Sequence, residues 1–154
     1  MLHVVRHAHA GQRSAWTGDD RLRPLSERGE GQARGIAADL AAEAPGRLLS
    51  SPAARCVQTL QPLAEKLGAE VVEDDRLFEG AGRAEIAELL DEVADDHAVV
   101  CSHGDVIPIL LELLVERGMR PDRNLVWQKA SRWSVERVDG AWGAGRYAAP
   151  PDRR

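Results

Sequence analysis

Lysine is almost missing from this chain of 154 residues: Lys66 and Lys129 are the only two, so 18 of its 20 basic residues are arginine. Aromatics are scarce as well, with four Trp, one Tyr and one Phe, and there are two cysteines, Cys56 and Cys101. Both cysteines sit inside apolar periodic segments, which excludes a disulfide framework and reads as two buried thiols in a reducing compartment. No window approaches the roughly 18 apolar residues of a membrane span. The charged and polar residues that arrive by Arg6 do not fit a signal peptide. A cytoplasmic protein with no membrane partner is therefore expected. The net charge of −5 argues against a general nucleic-acid binder, which needs a basic face. An anion site in such a chain must be a local gathering of arginine, the side chain suited to bidentate phosphate contacts.

The remaining composition, 44% hydrophobic and 29% charged, is that of an ordinary globular domain, and residues 1–154 are read as one domain with a real core. Strand and helix patterns alternate along it. Leu2-His3-Val4-Val5 is a short, largely β-branched run that ends in Arg6-His7. A helix starts after Ser26, a good N-cap, and repeats Ala33, Ile36, Ala37, Leu40, Ala41 and Ala44 on one face until Pro45-Gly46. Arg47 to Ser50 reads as a strand, and Ser51-Pro52 as the cap and first turn of a second helix that Gly68 stops. Val71-Val72 is a third, weak strand, and Ile86, Leu89, Leu90 and Val93 mark a third helix. Ala98 to Ser102 is a fourth strand, and an apolar helix with Pro108 in its first turn follows it through about Arg117. Two strand-like runs flank Asp139-Gly140, a strong hairpin signal. The expected architecture is α/β: a three-layer α/β/α sandwich with a mostly parallel sheet and a C-terminal β-hairpin.

Four segments then fall at strand C-termini, where open α/β sheets bind ligands. They are Arg6-His7, Ser50-Ser51-Pro52 with Arg55, Leu77-Phe78-Glu79-Gly80, and Ser102-His103-Gly104. Two imidazoles, two guanidiniums and a carboxylate suit phosphoryl transfer to a histidine. One ring attacks phosphorus, cations neutralise the equatorial oxygens, and an acid protonates the leaving oxygen.

These motifs, in this order, resemble the histidine phosphatase superfamily with its phosphoglycerate-mutase-like fold. The family's Arg-His-Gly mark stands here as Arg6-His7-Ala8. Leu25-Ser26-Glu27-Arg28-Gly29 with Gln32-Ala33 resembles its first helix, Ser50-Ser51-Pro52 through Arg55 and Thr59 its second arginine motif, and Ser102-His103-Gly104 its second histidine motif. The resemblance implies His7 as the nucleophile and Arg6, Arg55 and His103 as the phosphoryl clamp. It places Glu79 where larger members have their general acid, with Asp105 or water as the other candidate donor, and Arg13 where many have a phosphate contact. No cofactor and no metal are implied.

The segments between motifs are short, 24 residues from Arg55 to Glu79 and 24 from Glu79 to His103. The chain thereby resembles the small, open phosphohistidine-phosphatase type, expected as a monomer or weak dimer. It is also similar to the C-terminal half of Nudix–histidine-phosphatase fusion proteins, through Gly18-Asp19-Asp20-Arg21, Arg23-Pro24-Leu25 and Arg55-Cys56-Val57-Gln58-Thr59. The first likeness implies a phosphoprotein or phosphoramidate substrate, the second a nucleotide or other small phosphate ester. A non-catalytic phosphate-binding module is the third reading, against which Arg6, His7, Arg55 and His103 stand together.

Rival chemistries lack their residues. A cysteine phosphatase needs Arg six positions after its Cys, where this chain has Ile107 and Pro62. Neither lysine follows a glycine, as a P-loop requires. The His7-Ala8-His9 spacing of a barrel metallohydrolase would need a chain of about 250 residues. His3, His9 and His97 read as ordinary structural histidines. Arg21, Arg23 and Arg34 read as solvated faces, and Trp127, Trp133 and Trp142 as hairpin packing.

Overall fold

The computed structural model describes residues 1–152. Short apolar runs form β1 (Leu2–Arg6), β2 (Arg47–Ser50), β3 (Val71–Glu73) and β4 (Ala98–Ser102). Between them lie α1 (Glu27–Leu40), α2 (Ala54–Leu67) and α3 (Arg83–Val93), and α4 (Ile107–Glu116) follows β4. A two-residue strand, β5 (Arg120–Pro121), precedes the hairpin of β6 (Arg132–Val138) and β7 (Ala141–Ala148). In space the strands run β3-β2-β4-β1-β6-β7-β5. Pairings β3–β2, β2–β4, β4–β1 and β5–β7 are parallel, whereas β1–β6 and β6–β7 are antiparallel. This is the expected sandwich with a mostly parallel sheet.

Alternate residues of the strands feed two cores. Val5, Leu48, Val99 and Cys101 pack on α1 and α2, while Leu2, Val4, Leu49 and Val100 pack on α3 and α4. β4 is buried along its whole length, which is why it carries no polar alternation. Both cysteines are free and buried.

Most boundaries follow local chemistry. Ser26 caps α1 by accepting from the Gly29 amide, and Gly68 ends α2 in the left-handed conformation. Asp139 and Gly140 both have positive φ, 51° and 75°, as a two-residue type I′ turn demands. One expectation is corrected. α2 starts at Ala54 rather than at Pro52, with Ala53 as its cap, because the Ser51 hydroxyl is engaged by His103 and the Ala53 amide in a turn before the helix. β6 pairs with β1 from Leu2↔Val135 to Val5↔Arg132 and so extends the central sheet. Trp133 and Trp142 are buried in the core on the α3–α4 side, and Trp127 packs against it.

Candidate active site

The C-terminal ends of β1 and β4 open into a cavity of about 620 Å³. Arg6, His7, Arg13, Arg55, Glu79 and His103, all picked out in the sequence, line it together with Gly11, Gln12, Ser14, Arg23, Gly104, Asp105 and Lys129. Five of the lining side chains are cationic and two are carboxylates, in a chain whose net charge is −5. The arginine bias is thus spent locally.

His7 follows β1 directly, its amide bonded to the Ser102 carbonyl of β4 at 3.0 Å. Its Nδ1 lies 2.9 Å from the carbonyl oxygen of Ala8. A carbonyl can only accept, so Nδ1 carries the proton and Nε2 keeps its lone pair. Burial pushes the His7 pKa down to about 3, with His103, Arg55 and Arg6 acting in the same direction and the Ala8 carbonyl against it. The ring is therefore neutral throughout the physiological range.

The backbone beyond His7 is held by side chains of the helical motifs. Thr59 Oγ1 accepts from the Ala8 amide and donates to the Arg55 carbonyl, and Gln32 accepts from the His9 amide. α1 reaches this loop at Gly29, where a Cβ would stand 1.9 Å from the His9 carbonyl oxygen. A Cβ at Gly104 would meet the Arg6 guanidinium at 2.7 Å, so that side chain would have to shift.

His103 enters from the loop after β4, its Nε2 2.7 Å from Ser51 Oγ and its ring 5.5 Å from that of His7. Phe78 packs edge-on against it at 5.8 Å, and the Cys56 sulfur lies 3.6 Å from its Nε2. Arg55, wholly buried, donates to the Asp20 carbonyl and to Glu79 Oε1 at 2.6 Å. The same Glu79 oxygen accepts from Arg13 at 2.8 Å and stands 3.4 Å from His103 Nδ1. Arg6 donates to the Trp127 carbonyl. Among the described residues, Arg6 and Arg55 each retain a buried Nε with no acceptor, as do Arg132 and Arg137 outside the cavity. Arg13 sits at the exposed rim, paired with Glu79 and Asp20. Asp105, also at the mouth, accepts from the Gly80 amide at 2.8 Å.

Three residues escaped the sequence reading. Arg23 is not a solvated face: it is buried, bound to the Ala10 carbonyl and to Asp20, and it lines the cavity. Asp20 gathers Arg13, Arg23 and Arg55. Partial burial tends to raise its pKa, but the Arg23 hydrogen bond and the surrounding guanidiniums hold it below the ordinary carboxylate value. Lys129 arrives from the far end of the chain because the Ala130 amide bonds the Arg6 and His7 carbonyls. Burial first, and then the neighbouring arginines, lower its pKa. The Arg23-Pro24-Leu25 stretch quoted for the fusion proteins was the one available signal for Arg23. For Lys129 there was none. Arg21 does lie outside, stacked over Phe78 at 4.8 Å.

Residues 2–86 match the model of the histidine phosphatase superfamily, branch 1. The chain belongs to this family. A curated relative, the 8-oxo-(d)GTP phosphatase of Mycolicibacterium smegmatis, is 36% identical over 98% of the chain, and the chain spans about half, 48%, of that relative's length. Among solved structures of the same fold, SixA from Agrobacterium tumefaciens superposes with a TM-score of 0.77 at 23% identity over 97% of each chain. A protein histidine phosphatase SixA complexed with tungstate gives 0.74 at 20% identity over 96% of this chain and 94% of the other.

Proposed function

We propose that the chain is a phosphatase that hydrolyses a phosphate monoester or phosphoramidate through a phosphohistidine on His7. The observation that carries this reading is the Ala8 carbonyl on His7 Nδ1, which leaves a bare, neutral Nε2 among Arg6, Arg55 and His103. In the first step the Nε2 lone pair forms a bond to phosphorus while the bond from phosphorus to the leaving atom breaks, and Glu79 in its acid form gives that atom a proton. In the second, water attacks the phosphohistidine, the N–P bond breaks, and Glu79 takes the proton from water. Arg6, Arg55 and His103 bind the phosphoryl oxygens and neutralise their charge in both transfers. The guanidiniums do the work a metal ion would otherwise do, so turnover should survive exhaustive EDTA treatment and be inhibited by vanadate.

A small phosphate ester, a nucleotide included, is the substrate class favoured by the 36% identity to an 8-oxo-(d)GTP phosphatase. The wide cavity suits a phosphoprotein as well, and the turnover ratio for a nucleotide panel against a phosphohistidine protein decides between them.

Trapping tests the covalent step. A phosphoramidate survives alkali and breaks down in acid, so reaction with labelled substrate stopped in base should leave label on the wild-type chain and none on His7→Ala. A base-stable label on His7→Ala, or none on an active wild type, would overturn the reading.

A further inference from the structure

At the opposite end of β1 a second histidine is buried, about 13 Å from His7 along the strand. His3 Nε2 stands 3.3 Å from His97 Nε2 and 3.4 Å from Glu43 Oε1, and the three atoms all lie within 4.8 Å of one another. They converge from β1, from the residue preceding β4, and from a 3₁₀ turn (Ala41–Glu43) that continues α1. That turn ends at Ala44, a non-glycine residue at φ 46°, and the Gly46 amide bonds the His97 carbonyl at 2.8 Å. The backbone on both sides of the cluster is thus tied down. Among the described residues no other three His, Cys, Asp or Glu side chains bring ligand atoms so close.

These spacings have a chemical meaning. Ligands about 2.0–2.1 Å from a tetrahedral ion stand about 3.3–3.4 Å apart, which is what His3 makes with each partner. Metal-bound histidines need the second ring nitrogen engaged, and His3 Nδ1 lies 2.7 Å from Ser134 Oγ on β6. With Nδ1–H donating to that hydroxyl, Nε2 offers its lone pair to the cluster. His3 is fully buried, His97 half-buried and Glu43 exposed, so two ligands are set in the wall and the third side faces water, through which an ion enters.

We propose that His3, His97 and Glu43 form a binding site for a zinc-class divalent cation, tetrahedral and completed by solvent. The cation would clamp the starts of β1 and β4 to the end of α1 and take no part in chemistry at His7. Two imidazoles and one carboxylate with an open fourth position match zinc's preferences better than those of calcium or magnesium, which take oxygen ligands.

Tag-free protein, stripped of metal, should take up one equivalent of Co²⁺ with the visible d–d absorption of a tetrahedral site, and Zn²⁺ should displace it. Zinc at 100-fold over its Kd should raise Tm by about 5–10 °C, and chelation should reverse this without changing turnover. Glu43→Gln and His97→Gln lie outside the catalytic cavity; each should weaken binding at least about 10-fold with kcat unchanged. His7 and His103 also offer imidazoles, so His7→Ala is titrated in parallel. Absence of a tetrahedral cobalt spectrum in the wild type would overturn the proposal. So would a spectrum that survives in both Glu43→Gln and His97→Gln but vanishes in His7→Ala.

Discussion

His3 and His7 sit at opposite ends of one five-residue strand, both buried and both with pKa values near 3, yet their surroundings prepare them for opposite tasks. Around His7 stand Arg6, Arg55, His103 and the rim cations, a setting that attracts an anion. Around His3 stand a carboxylate and a second imidazole, with Arg132 and the chain's amino group acting on the ring from further off. Burial alone makes an imidazole neutral. The group that binds Nδ1 and the groups facing Nε2 separate the two rings. In the roles proposed above, a carbonyl on Nδ1 with guanidiniums near Nε2 suits a nucleophile for phosphorus, and a hydroxyl on Nδ1 with a carboxylate near Nε2 suits a metal ligand.

The sharpest way to break this contrast is to exchange the ends in a mutational comparison. His7→Ala should cut kcat on the order of 10⁴-fold or more, as loss of a covalent nucleophile does, while His97→Gln leaves it at the wild-type value. Steady-state rates on one aryl phosphate suffice, and comparable losses in both variants would erase the distinction. Glu79→Gln comes next. It should lower kcat by about 10²–10⁴-fold for alkyl phosphates, whose leaving oxygen needs a proton. The loss should shrink sharply for p-nitrophenyl phosphate. An equal small loss on both substrates would remove Glu79 as donor and leave Asp105 or solvent.

Arg55→Ala should lose about 10²–10³-fold in kcat, the scale for one donor to a developing oxyanion. Lysine in its place should recover only part of this, because the guanidinium bonds Asp20 and Glu79 at once. Recovery to wild-type rates by Arg55→Lys would show that charge alone matters there.

The smallest effect joins the two ends. Each histidine has an ordinary pKa of 6.5 and a folded value of about 3. Above pH 6.5 neither the folded nor the unfolded chain protonates them. Below it the unfolded chain binds protons that the folded chain refuses, so stability falls as pH drops from about 6.5 towards 3. At pH 5 this costs about 2 kcal/mol per histidine. Urea unfolding between pH 7.5 and 5 should show the decline, and His7→Gln should reduce its slope by nearly one proton. An unchanged slope would mean that His7 is protonated normally in the folded state.

Much of the cavity end was legible in the residues because its parts are local. Arg6-His7 closes a strand, Ser102-His103-Gly104 follows another, and Arg55 lies in the first turn of the helix after a third. Short apolar runs and 3.6-residue patterns placed those elements, and parallel α/β sheets gather such ends on one side. Arg23 and Lys129 were not legible: Arg23 is held by the Ala10 carbonyl and Asp20 within an irregular loop, and Lys129 is brought in by the bonds of the Ala130 amide to Arg6 and His7 at the other end of the chain. Ser51 misled for the same reason, since its hydroxyl meets His103 across 52 positions rather than capping its own helix.

The amino-acid order by itself therefore determined the strand and helix alternation, the arginine bias, the thiol chemistry and the strand-end motifs, because these depend on periodicity and near neighbours. Only the tertiary structure decided that the hairpin completes the central sheet, that Asp20 and Arg23 brace Arg55, and that His3, Glu43 and His97 meet at the far end. Those three come from positions separated by 40 and 54 residues. No local pattern marks such a meeting; the pairing of β1 with β4 and the turn after α1 bring it about.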